Sequence, residues 1–209
     1  MRIDSLKLSP DRAGRYWVTF SDGSKIGLYR QTVEDFGLYT GLELTQEQFS
    51  ALQSAAGKMS AKMRAVRIVS ASSVSKKDLE QRLVRKGEDP EQAREAVQWM
   101  EDLHLVNDRN MAEAVVHSCI SKGYGLSRAK QALYEKRIPK EYWEDALADY
   151  PDQEERIEAF LRSRLHEDSD EKEKKKAIDA LLRRGHSYGT IRRVMNELSF
   201  DSEDYFEDF

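Results

Sequence analysis

The sequence predicts a mostly α-helical chain of tandem three-helix repeats in an elongated array, preceded by a small β-meander plus helix module. Three observations predict this. Alternating, β-branched and aromatic segments are confined to the region before Arg30, whereas beyond Thr45 apolar side chains recur at helical spacing between cap signals. Gly87, Arg137 and Gly185 end three equivalent middle helices, 50 and 48 residues apart. Finally, 39% hydrophobic and 34% charged residues over a length of 209 suit small stacked bundles, with much surface per residue, better than one large core.

The repeat register rests on several positions at once. Four residues before each helix end stand Leu83, Leu133 and Leu181, and one residue before stand Lys86, Lys136 and Arg184. After each end come Ala93, Ala96 and Val97, then Trp143, Ala146 and Leu147, then Ile191, Val194 and Met195, with Met100, Tyr150 and Leu198 closing the copies. Agreement at so many offsets in three copies defines helix-turn-helix-like repeats at 57–107, 108–150 and 151–199, after an N-terminal module at 1–56 and before an acidic tail at 200–209.

In chain order, Ile3 to Leu8, Arg15 to Phe20 and Lys25 to Tyr29 read as the three strands of a meander. The first two are joined by a turn over Pro10-Asp11-Arg12-Ala13-Gly14 and the last two by the Asp22-Gly23 hairpin signal. Trp17, Val18 or Phe20 are expected to face a helix from Thr45 to Ala56, whose Thr45 and Gln48 form a capping-box pair. Val33, Phe36, Leu38, Leu42 and Leu44 close this module. Base stacking by Tyr16 and Trp17 is the less economical reading, because aromatics in short strands usually serve the core.

Gly57 begins repeat one, with a helix to Val69 that carries Lys58, Lys62, Arg64 and Arg67 and no acid. Ser75 and Asp78 start its second helix and Pro90 its third. Repeat two opens with Asp108 as cap. Its second helix follows Gly123-Tyr124-Gly125, Pro139 starts its third, and Pro151 breaks the chain. Repeat three contains the charge run His166 to Lys176, read as a solvated loop entering a helix; Asp168 and Asp170 lack the glycine and terminal glutamate of a calcium loop.

Asn107-Asp108, then Gly123-Tyr124-Gly125-x-x-Arg128, then a short basic helix before Ile138-Pro139, resemble the RecX family, regulators of the RecA recombinase. Asp78-Leu79, Leu83 and Arg85-Lys86-Gly87, within Ser75 to Leu103, are similar to that family's first repeat. The likeness spans about residues 58 to 199 and is most specific from Ser75 to Pro139. Arg137 stands where the family usually has glycine, and Asn110-Met111 where an aromatic usually follows the acidic-basic pair. The resemblance implies a protein that lies along the RecA nucleoprotein filament and mostly inhibits its ATPase, recombinase and coprotease activities, in DNA repair, recombination and the SOS response. It also implies weak contact with single- and double-stranded DNA.

Charge, read without the family, points to a long anionic partner. Second helices are basic: Lys76, Lys77, Arg82, Arg85 and Lys86; Arg128, Lys130, Lys136 and Arg137; Lys174 to Lys176, Arg183 and Arg184. Third helices of the first two repeats are net acidic. Cations near helix C-termini complement the helix dipole, which accounts for Lys86, Arg137 and Arg184 but not for Lys76, Lys77 or Arg128. A basic stripe grips a polyanion or a nucleoprotein filament through many weak, salt-sensitive contacts. The candidate binding residues are therefore Lys76, Lys77, Arg85, Lys86, Arg128, Lys130, Lys136, Arg137, Arg183 and Arg184, with Tyr124 holding the repeat-two turn. A direct DNA-binding helix-turn-helix protein, a regulator or chromatin-associated factor, is the alternative. Against it, the acidic third helices occupy the recognition position, and only Arg192 and Arg193 offer a basic candidate.

No catalytic constellation, cofactor motif or metal-ligand spacing is present, so no enzyme, cofactor or metal is expected. Gly123-x-Gly125 follows a helix and lacks a third glycine, and His104, His117, His166 and His186 are isolated in sequence. The single cysteine, Cys119, lies among Val115, Val116 and Ile120, which favours buried packing and a reducing compartment. With no signal-like start and no long apolar run, the chain reads as a cytoplasmic monomer away from membranes. The last ten residues carry five acids and no base, which accounts for the net charge of −4.

Overall fold

The computed structural model describes residues 1–10, 14–166 and 168–200. The turn expected at Asp11 to Ala13, Glu167 of the charge run and the tail beyond Phe200 lie outside the described residues. The chain divides into two compact units, Met1–Val106 and Asn107–Phe209, each taken by itself below. The fold is mostly helical, with a three-stranded antiparallel sheet at the N-terminus, as the sequence predicts.

In the first unit, β1 (Ile3–Leu8), β2 (Arg15–Phe20) and β3 (Lys25–Tyr29) pair in sequence order, with Leu6 opposite Val18 and Val18 opposite Ile26. Alternation puts Val18 and Phe20 on the inner face, both buried, while Trp17 turns outward and covers Gly27 instead. Of the three candidates for the inner face, then, two serve it. After α1 (Arg30–Asp35), α2 (Gln46–Ala71) lays Phe49 and Leu52 on the sheet, and Phe20 meets Phe49 edge to face with centroids 5.1 Å apart. Thr45 and Gln48 form the expected capping box: each side chain bonds the other's backbone, at 3.1 and 2.9 Å.

Gly57 was expected to separate two helices, but α2 runs through it unbroken. Strong helix formers flank it, and the glycine serves packing: a Cβ there would stand 2.3 Å from Gln92 Oε1 of α4 (Pro90–Asp102). The second half of α2 thus supplies the first helix of repeat one. Its Ala61, Ala65 and Ile68 pack with Leu79 and Leu83 of α3 (Lys76–Arg85) and with Ala93, Ala96 and Met100 of α4. Asp89 caps α4, with Pro90 in the first turn.

The second unit holds α5 (Asp108–Ser121), α6 (Leu126–Glu135), a 3₁₀ turn at Lys140–Tyr142, α7 (Trp143–Leu147), α8 (Glu154–Arg162), α9 (Glu171–Arg183) and α10 (Tyr188–Glu197). The cap of α5 is Asn107, whose side chain accepts from Asn110 N at 3.0 Å; Asp108, the expected cap, is the first helical residue and is buried. The third helix of repeat two is shorter than its counterparts. Tyr150 precedes Pro151, which disfavours helical backbone there, and Tyr150 instead donates its hydroxyl to Tyr124 O at 2.6 Å. Two further cores form, one on Ala112, Val116, Leu133 and Ile138 and one on Ile157, Leu161, Ile178, Leu181, Ile191 and Met195. Among the described residues, no helix is long and apolar enough to cross a membrane.

The repeat register appears as one recurring turn. Gly87, Arg137 and Gly185 have φ of 90°, 55° and 85°, and each donates its N–H three residues back, to Val84 O, Tyr134 O and Leu182 O. The following residues, Glu88, Ile138 and His186, donate to Leu83 O, Leu133 O and Leu181 O, the fully buried leucines. Each of the three middle helices thus ends in a Schellman turn. Arg137 adopts the left-handed conformation despite its side chain, at a cost of about 1 kcal/mol, so the departure from glycine leaves the turn intact.

Two of these glycines differ in what surrounds them. A Cβ on Gly87 would meet nothing within 4 Å, whereas one on Gly185 would lie 2.3 Å from Arg128 N. G87A should therefore cost only the conformational term, about 1 kcal/mol, and G185A should cost about 2–4 kcal/mol, because a backbone must also move. Urea denaturation of the full chain measures both; equal costs would contradict the close approach.

Candidate functional site

The site is built by the joint between repeats two and three. Helix α5 ends at Lys122, Gly123 turns left-handed, and Gly125 becomes the N-cap of α6. A glycine N-cap has no side chain to satisfy the first amides of its helix, and here another helix does so. Gly125 N donates to Arg184 O at 2.9 Å and Ser127 N to Gly185 O at 3.2 Å, so the carbonyl end of α9 caps the amide end of α6. The approach requires both glycines: a Cβ on Gly125 would sit 2.1 Å from Gly185 O. His186 closes the joint from the side, its Nε2–H donating to Gly123 O at 3.1 Å.

This geometry gathers Lys122, Tyr124, Arg128, Arg183 and Arg184 around an open cleft of about 520 Å³, with Ala180 completing the wall. No acid lines it. Arg128 is anchored from outside by Glu135 at 2.9 Å, and Arg184 stacks on Phe160, 4.6 Å from the ring centroid. Four cations and a phenol around one opening suit phosphate or carboxylate groups. Burial of Tyr150 pushes its phenol up to about 12, so it remains a hydrogen-bond donor to the turn.

Four predicted residues, Tyr124, Arg128, Arg183 and Arg184, thus come together. Lys130, Lys136 and Arg137 are exposed on or just beyond α6, outside the cleft. In the first unit, Lys76 is tied to Glu101 of α4 at 2.7 Å, while Lys77 and Arg85 are exposed. Lys86 lines a second opening of about 480 Å³, with Arg64, Arg67 and Arg82. There Arg64 pairs with the buried Glu88 at 2.7 Å, Arg82 with Asp78 at 2.8 Å, and Arg67 donates to Tyr29 Oη at 3.1 Å.

Grouping charges by middle helix missed Lys122, Arg64 and Arg67, which come from first helices. The acid-free run from Lys58 to Arg67 carried the signal for two of them. On α10, Arg193 is ion-paired with Asp152 and Glu154, so one of the two basic residues open to the DNA-binding alternative is already engaged. Cys119 is buried, as expected, and burial pushes its thiol up.

Burial lowers the His186 imidazole from its usual 6.5; Arg184 lowers it further, and the bond to Gly123 O and nearby Asp152 oppose the shift. The unfolded chain therefore binds this proton more readily than the folded one. Its contribution to stability is present above pH 6.5 and is lost as pH falls below it, by at most about 1.4 kcal/mol per pH unit. Urea midpoints at pH 5.5 and 7.5 should diverge for the wild type and converge for H186Q, which keeps a donor but cannot titrate. An H186Q chain as acid-sensitive as wild type would place the titration elsewhere.

Two family models match this unit: "RecX, second three-helix domain" over residues 107–147 and "RecX, third three-helix domain" over residues 149–195. The regulatory protein RecX of Clostridioides difficile (strain 630) is 26% identical over 210 residues, covering 97% of each chain. That of Xanthomonas axonopodis pv. citri (strain 306) is 32% identical over 133 residues, 62% of this chain and 80% of its own. A crystal structure of a regulatory protein RecX shares the fold, with a TM-score of 0.66 and 20% identity over 96% of this chain and 99% of that one. RecX from Lactobacillus salivarius aligns with a TM-score of 0.61 and 26% identity, over 70% of this chain and 99% of its own.

Proposed function

The chain belongs to the RecX family of regulatory proteins, and on that premise we propose that it binds the RecA nucleoprotein filament and restrains it. In this reading it is a cytoplasmic monomer without catalysis of its own. It lowers filament ATP hydrolysis, strand exchange and coprotease activity by occupying several protomers at once. The observation that carries the proposal is the cleft of Lys122, Tyr124, Arg128, Arg183 and Arg184, four cations and a phenol held open with no lining acid. A filament presents both DNA phosphates and protein carboxylates, and such a cleft accepts either. Lys77, Arg85, Lys86, Lys130, Lys136 and Arg137 add weaker contacts, each worth little alone and much in combination. Lys76 contributes after release from Glu101, which makes it the least of the set.

Titration into a RecA ATPase assay on single-stranded DNA tests the proposal. R128E with R183Q should weaken inhibition by about tenfold or more while leaving the helical circular dichroism unchanged. Glutamate suits the first turn of α6, so unfolding would not explain the loss. Unchanged inhibition would remove the cleft from the mechanism.

A further inference from the structure

The same turn that ends each middle helix also exposes an apolar side chain at one fixed place. The residue before each helix-ending pair is Val84, Tyr134 or Leu182, and they are 40%, 72% and 36% exposed. These are three of the ten large apolar side chains left exposed among the described residues, and all three share one register position. Single exposed apolar residues are ordinary on protein surfaces. Recurrence at the residue after the buried Leu83, Leu133 and Leu181 is not, and its cause is geometric. Each knob's own carbonyl accepts the N–H of the left-handed residue, so the same backbone turn carries it in all three copies. One step of about 100° around the helix from a buried leucine points it outward.

Cations flank each knob: Arg85 and Lys86 beside Val84, Lys136 beside Tyr134, Arg183 and Arg184 beside Leu182. In repeat two, Glu135 takes the place of the first cation and is occupied by Arg128 at 2.9 Å. We propose that Val84, Tyr134 and Leu182 are the apolar anchors of a repeated protein-docking surface. Its partner is a protein assembly presenting apolar pockets rimmed by carboxylates. This deepens the reading above, on which it rests, by assigning the middle-helix ends to the protein component of the filament instead of its DNA. Valine and leucine offer neither a ring to stack on single-stranded bases nor a hydrogen bond to them, so two of the three anchors suit an apolar protein pocket better than a single strand. A pocket lined by apolar groups and rimmed by acids would use both the knob and its flanking cations.

The test substitutes all three knobs, V84S, Y134S and L182S, in the full chain. Exposed positions tolerate serine, and circular dichroism verifies the fold. Binding is read by fluorescence anisotropy on RecA filaments and on naked single-stranded DNA, at low and raised salt. The triple variant should bind filaments about 100-fold more weakly, near fivefold for each knob. The loss should persist at raised salt, and affinity for naked DNA should not change. Equal loss on naked DNA, or full filament affinity, overturns the inference while leaving the proposed function standing. A wild type that fails to bind filaments overturns both. If sedimentation shows the wild type self-associating and the triple variant monomeric, the knobs form an interface between copies and the inference falls.

Discussion

The second unit depends on a place where two backbones touch. Gly125 and Gly185 let the carbonyl end of α9 meet the amide end of α6 without an intervening side chain. Each helix end would otherwise carry unsatisfied polar groups, and here each answers the other's need. The two helix dipoles meet head to tail, which is favourable. A covalent linker would leave the repeats free to turn, whereas the two backbone hydrogen bonds and the His186 bond fix their relation. The joint thereby decides where the cations of two different repeats end up.

That placement runs against local electrostatics, which is why it is informative. Arg183 and Arg184 suit the end of α9, but Arg128 stands in the first turn of α6, where the dipole disfavours a cation. Lys122 adds a fourth positive charge across the opening. Like charges gathered around one opening repel, so helix-end electrostatics alone do not favour this arrangement. Proteins tend to break local rules at functional sites and compensate elsewhere, and here the compensation is the glycine joint and the Glu135 anchor.

Much of the architecture was legible because the repeated turn leaves a recurring pattern in the sequence. A buried leucine, a basic helix end and a residue able to turn left-handed recur at fixed offsets, and agreement at several of them together set the register. What sequence could not supply was three-dimensional proximity. Gly57 looks like a break in one dimension and is a contact with Gln92 in three. Acids of third helices and bases of second helices look segregated along the chain, yet Lys76 and Glu101 meet at 2.7 Å once the bundle closes. The clefts draw on first helices as well, so Lys122, Arg64 and Arg67 were invisible to a search by middle helix.

On the proposed readings, one short element carries two kinds of recognition. Its buried leucine ties it to a core, and its left-handed residue stops the helix. Between them only three side chains remain, too few for a broad interface and enough for one apolar anchor and a pair of charges. Cations give attraction that fades with salt, while the apolar anchor gives affinity that does not. Neither is strong alone. Arg137 sharpens the point: the chain accepts a strained left-handed arginine where glycine would be easier, and the turn keeps its hydrogen bonds at 2.8 and 3.1 Å. What the fold holds constant across the three copies is therefore the backbone turn and its two hydrogen bonds, with the identity of the turning residue left free to vary.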